Sequence, residues 1–150
     1  MLKLPLLLLL LTGMCTAQNP SSADSQDRPS LAELETTARV LLVFAPDANS
    51  PGFRRQVDFI QRHSFELSSR NTVFVPISTA SRFAEEKYSI ENLPLRTPAE
   101  QAAIRARFHV QPGEFVVILL DENGTQKIRS ASPVDIRTLT AGLEPLPLKR

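Results

Sequence analysis

Arg39-Val40-Leu41-Leu42-Val43-Phe44, then Ala45-Pro46-Asp47-Ala48-Asn49, then Ser50-Pro51 decide the fold of this chain. The first run is short, apolar and partly β-branched. That predicts a strand covered on both faces, since a strand with one wet face alternates apolar and polar residues. The middle stretch predicts a loop. Ser50-Pro51 predicts a helix start, with serine as N-cap and proline at the first helical position, where its missing N–H does no harm. Phe53, Val57, Ile60 and Leu67 then recur at helical spacing and mark the buried face of one helix. Arg54, Arg55, Arg62 and Glu66 fall mainly elsewhere.

A second strand follows at Thr72-Val73-Phe74-Val75-Pro76-Ile77. Strand, helix, strand implies parallel neighbours, because the crossover returns the chain to its starting end. Pro76 has no N–H to offer a further strand, so it suits an edge or a strand end. Upstream, Ser30-Leu31-Ala32-Glu33 reads as a capping box at the start of a short helix. Downstream, Thr97-Pro98-Ala99-Glu100 reads as a second, with its helix running to about Phe108 and Pro112-Gly113 beyond. Phe115 to Leu120 predicts a third strand, Asp121-Glu122-Asn123-Gly124 a turn, and Thr125 to Ser130 a fourth strand returning as a hairpin. Ser132-Pro133 predicts the start of a last helix, with Ile136, Leu139 and Leu143 on one face and Pro145 and Pro147 at its end. Thr79 to Arg96 shows no consistent period and is assigned no structure. The economical assembly is an α/β fold: a central mixed β-sheet with helices on both faces.

The beginning of the chain reads as a targeting segment. Lys3 precedes an unbroken apolar run, Leu6 to Leu11, and a small, polar stretch follows to Ala17. The run is too short to span a bilayer as a stable helix. The expected processing is cleavage between Ala17 and Gln18, leaving a secreted or periplasmic product. A competing expectation makes Cys15 a lipid-bearing N-terminus, although Met14 precedes it where a small residue is usual. Residues 18–30 are rich in Ser, Asp, Asn, Gln and Pro and read as a flexible linker. Residues 31–150 remain, about 120 of them and enough for one domain.

Losing Lys3 with the signal takes the formal charge from +1 to zero. A neutral domain has no net field to hold nucleic acid or an anionic membrane, so neither is an expected partner. The single cysteine of the chain is Cys15, inside the signal. The folded part therefore has no thiolate for disulfide exchange or peroxide reduction, and no disulfide to staple it. His63 and His109 do not stand at metal-ligand spacing, and Asp121 to Gly124 lacks the full calcium-loop pattern. No glycine-rich phosphate loop and no nucleophile elbow occur. No metal and no cofactor is expected.

The order helix, strand, helix, strand, helix, hairpin, helix resembles a thioredoxin-like domain. The Pro46 to Phe53 junction is similar to the nucleophile loop of peroxiredoxins. Pro46 matches that loop's proline, and Ser50 stands at its threonine. Phe53 stands where the peroxidatic cysteine would be, and Gln56 replaces an acid often found three residues on. A longer resemblance links the chain to a bacterial secreted domain family of unknown function, also found in animal extracellular sushi-repeat proteins. It rests on Arg39 to Pro46 with Arg55-Gln56, on Arg107-Phe108-His109-Val110 with Phe115 to Leu120, on Lys127 to Ser130 and on Leu143 to Arg150. It implies a thioredoxin-like, peroxiredoxin-related fold over roughly residues 31–150, and leaves the activity open.

The leading expectation is a secreted, non-catalytic binding domain for an extracytoplasmic protein, peptide or small anionic ligand. Its candidate contacts are Ser50, Arg55 and Gln56 at the helix start, with Arg129 from the hairpin. First-turn N–H groups and the helix dipole favour an anion there. The bland reading is a plain cap, with arginines solvated or paired to Asp47, Asp58 and Glu114. The alternative is a thiol-independent enzyme in which Arg55 and Gln56 stabilise an anionic intermediate. A third expectation is an envelope-stress or matrix protein whose surface, not its cleft, carries function.

Overall fold

In the computed structural model, residues 29–79 and 97–141 are described. Helix α1 (Leu31–Thr37) leads into strand β1 (Arg39–Asp47). Helices α2 (Pro51–Arg62) and α3 (Ser64–Ser69) return the chain to β2 (Thr72–Thr79). Helix α4 (Pro98–Arg107) precedes the hairpin β3 (Val116–Leu120) and β4 (Gln126–Ser130), and α5 (Ile136–Ala141) follows. The strands form one sheet in the order β2-β1-β3-β4. β1 pairs parallel with β2 and antiparallel with β3, which pairs antiparallel with β4. Pro76 lies on the edge strand, opposite Val43.

Alternation along β1 divides the core in two. Leu41, Val43 and Ala45 face Phe53, Val57 and Ile60 of α2, Leu67 of α3 and Ile136 and Leu139 of α5. Val40, Leu42 and Phe44 face the other way, toward Leu31 and Leu34 of α1 and Ile104 of α4. Residues Val40 to Ala45 have no exposed surface at all. Burying each of the five larger side chains, Val40 to Phe44, stabilises the fold by about 1.5–3 kcal/mol, which makes β1 the centre of the molecule. The architecture is the expected mixed sheet with helices on both faces.

Both capping boxes form. Ser30 Oγ accepts from the Glu33 amide at 3.2 Å, and Glu33 Oε2 accepts from the Ser30 amide at 2.6 Å. Thr97 and Glu100 repeat the arrangement at 3.2 and 2.8 Å. The hairpin turn closes as read: Asp121 Oδ1 accepts from the Asn123 and Thr125 amides, both at 2.9 Å, and Gly124 takes φ +73°.

Two helices depart from the pattern. The helix expected to run through Leu67 breaks at His63, which caps α2 and starts α3. The serines of α3 compete for backbone partners, and Ser69 Oγ donates to the Glu66 carbonyl at 2.9 Å. The last helix begins at Ile136 instead of Ser132–Pro133. Asp135 opens it, its Oδ1 accepting from the Arg137 amide at 2.7 Å and its carbonyl from the Leu139 amide at 3.1 Å. The Ser132 backbone instead closes a turn with the Ser130 hydroxyl, ahead of the helix. Leu143, the targeting segment with Cys15, Ala17 and Gln18, and most of Thr79 to Arg96 lie outside the described residues.

Candidate functional site

The sequence points to the junction of β1 and α2, and the local chemistry there is well defined. Asp47 organises the turn: its Oδ1 accepts from the Asn49 amide at 2.7 Å. Its carbonyl accepts the Ser50 hydroxyl at 2.9 Å. The Ser50 hydroxyl is thereby drawn back along the chain and makes no capping bond to the helix amides. Ser50 holds the N-cap position through its backbone alone, its carbonyl accepting from the Arg54 amide at 3.1 Å. Gly52 fits closely beneath Phe115: a β-carbon there would stand 3.0 Å from the ring.

Phe53 is 2 % exposed and packs among Leu41, Val43 and Val57. The position that the peroxiredoxin resemblance aligns with a cysteine therefore points into the core.

The four expected contacts do not converge. Gln56 is completely buried. Its Nε2 donates to the Val134 carbonyl at 3.1 Å, and its Oε1 accepts from the Val134 amide at 2.7 Å. The amide thus staples α2 to the segment entering α5 and, being fully buried, lies out of reach of a ligand from the solvent. Arg129 pairs in register with Ile118, whose side chain lies in the α1/α4 core. Directly paired residues share a sheet face, so Arg129 is on the opposite face from α2. There it donates to the Phe108 carbonyl at 2.9 Å, at the end of α4. Arg55 is exposed, its guanidinium 5.7 Å from the centroid of Phe59. The expected pocket of Ser50, Arg55, Gln56 and Arg129 is thus corrected to two separate features: Ser50 and Arg55 at the α2 start, and structural roles for Gln56 and Arg129. An enzyme using Arg55 with Gln56 loses the same amide.

Two of the three acids named in the bland alternative, Asp47 and Glu114, bond to nearby backbone amides. Glu114 Oε2 accepts from the Gln111 amide at 2.8 Å, and Asp47 serves its own turn. His63 Nδ1 lies 3.5 Å from Glu66. His109 takes φ +53° just after α4, and the Val110 amide reaches back to the Arg105 carbonyl at 2.9 Å, a left-handed helix cap.

Sequence reasoning passed over Arg105. Its Nη1 donates to the Gln111 carbonyl at 3.0 Å, and its Nη2 donates to the carbonyls of Ala45 at 2.7 Å and Ile77 at 3.0 Å. One guanidinium thus clamps the carboxyl ends of both parallel strands. Nothing in the local pattern marks it, because these partners are distant along the chain.

A mixed sheet centred on a doubly buried strand, with a helix springing from its carboxyl end, defines a thioredoxin-like α/β domain. Residues 30–150 match a family described as Domain of unknown function (DUF4174), and the chain belongs to that family. No curated protein matches it significantly. Among solved structures it is similar to a thiol:disulfide interchange protein from Bacteroides sp., with 16% identity, TM-score 0.58, and 71% of this chain and 72% of that one covered. It is similar to peroxidoxin BcpB from Mycobacterium tuberculosis, with 21% identity, TM-score 0.56 and coverage of 72% and 77%. StoA from Bacillus subtilis is also similar, with 16% identity, TM-score 0.51 and coverage of 73% and 84%. At these identities the likeness establishes the fold alone. Among the described residues, no helix is long and apolar enough to cross a membrane.

Proposed function

We propose that this protein is a non-catalytic thioredoxin-like binding module that acts outside the cytoplasm. The observation that carries the reading is Phe53: an aromatic ring, 2 % exposed, at the helix start where this fold presents a thiol. The only cysteine, Cys15, precedes the domain. Thiol exchange and peroxide reduction require a thiolate, which the domain does not carry. The Lys3 and Leu6 to Leu11 pattern supports export. The partner is a protein, a peptide or a small anion. Ser50 and Arg55 remain as exposed or half-exposed contacts at the α2 start, while Gln56 and Arg129 support the scaffold.

The test is direct. The purified protein is assayed for reduction of hydrogen peroxide and of insulin disulfides, with dithiothreitol as the reductant. The expected result is a rate equal to the reductant alone. A rate proportional to protein concentration refutes the non-catalytic reading.

A further inference from the structure

A concave feature lies on the opposite side of the sheet from α2. It is a groove of ≈ 550 Å³ between α4 and the loop His109–Pro112. Pro98, Ala102, Ala106, Val110 and Pro112 form its apolar wall, and Arg105 supplies a charge. The volume is in the range of small-ligand sites, which are mainly apolar with a few convergent polar groups.

Arg105 gives this groove its chemistry. Three of its N–H groups go to neutral carbonyls, at Gln111, Ala45 and Ile77. Among the described residues no carboxylate pairs with it. Arg107, two residues on, does have an acid, Glu35, at 2.9 Å. Partial burial pulls the Arg105 guanidinium below its ordinary range, and the Phe44 ring lies 5.7 Å from it. A guanidinium carries five donors. The three carbonyl bonds leave the Nε–H and one Nη1–H for a further acceptor. The site also sits at the carboxyl ends of the parallel strands β1 and β2, where open α/β sheets bind ligands.

We propose that this groove binds a small amphipathic carboxylate, its chain along Ala102, Ala106 and Val110 and its carboxylate against Arg105. The neutral carbonyls already on Arg105 hold the guanidinium in place, so little side-chain entropy is lost on binding. A neutral molecule with the same chain leaves the charge uncompensated, and a short carboxylate leaves the apolar wall wet. Binding therefore needs both parts. This site is separate from the α2 start, and the redox assay above does not bear on it.

The test uses the isotopically labelled full-length chain and three probes: octanoate, octanol and acetate. Octanoate is expected to produce saturable amide shifts confined to residues 102–112, and to bind at least about tenfold more tightly than either control. Ala106→Trp fills the groove without touching the carbonyl bonds of Arg105, and is expected to weaken octanoate at least about tenfold with an unchanged amide spectrum elsewhere. Arg105→Lys keeps a positive charge but loses the planar fork, and is expected to narrow the preference for octanoate over octanol. No saturable shift below about 10 mM octanoate overturns the proposal. So does octanol binding equal to octanoate, or undiminished octanoate binding by the folded Ala106→Trp variant.

Discussion

Replacing Gln56 by leucine tests the amide staple between α2 and the approach to α5. Leucine keeps nearly the same volume and removes both polar atoms. The Val134 amide and carbonyl then lose their partners in a place where Val134 is 8 % exposed and Gln56 fully buried. Each unsatisfied backbone group costs about 1–3 kcal/mol. The apolar replacement recovers part of this by better burial, so the net destabilisation is about 2–4 kcal/mol. For a domain of this size that lowers the melting temperature by roughly 8–15 °C. Urea denaturation followed by circular dichroism gives the free energy, and an unchanged m-value certifies the same native state. Gln56→Glu sharpens the assay. A carboxylate can accept from the Val134 amide at 2.7 Å but repels the Val134 carbonyl at 3.1 Å, whereas the protonated acid can donate to it. Burial and this repulsion raise the folded-state pKa of the new glutamate above its unfolded value. Its contribution is then fully present below the unfolded pKa and is lost as pH rises through the folded pKa. The variant is therefore expected to be relatively more stable in acid than at neutral pH. A loss under about 1 kcal/mol for Gln56→Leu, with no pH trend for Gln56→Glu, refutes the staple.

Two further outcomes follow from the β3–β4 turn. Gly124→Ala places a side chain at φ +73° and is expected to cost about 1–2 kcal/mol, read as a shift of the urea midpoint; a neutral effect would show that the turn relaxes. The Asp121 carboxyl lies below its ordinary value: burial pushes upward, but bonds from the Thr125 and Asn123 amides and from Lys127 prevail. Its stabilisation is therefore present above the unfolded pKa and lost as pH falls through the lowered folded value. Asp121→Asn should flatten that acid limb of the stability curve, and identical acid limbs in both proteins would rule the contribution out.

Much of the fold is legible in local pattern because local physics sets it. Ser30 with Glu33, and Thr97 with Glu100, carry both halves of a capping box within one helical turn. The run from Arg39 to Phe44 needs two covered faces whatever its neighbours are. Asp121 and Gly124 can close a hairpin by themselves. The candidate site is less legible, because its geometry depends on partners far along the chain. Gln56 looks like a helix residue near an anion site, yet its partner is Val134, 78 residues on. Arg129 stands level with Leu42 in the middle of the sheet and on the face away from α2, a placement made by the pairing of Arg129 with Ile118 and of Ile118 with Leu42.

The amino-acid sequence by itself determined the order of elements, the doubly buried central strand and the absence of a thiol from the domain. Those follow from residue type and short-range periodicity. Helical spacing already put Phe53 on the buried face, whereas tertiary structure alone decided that Gln56 becomes a staple to Val134. It also decided that Arg105 clamps the ends of β1 and β2 beside an apolar groove. A side chain's direction and its hydrogen-bond partners are set by the packing of elements that touch only after folding, and no local pattern encodes that contact.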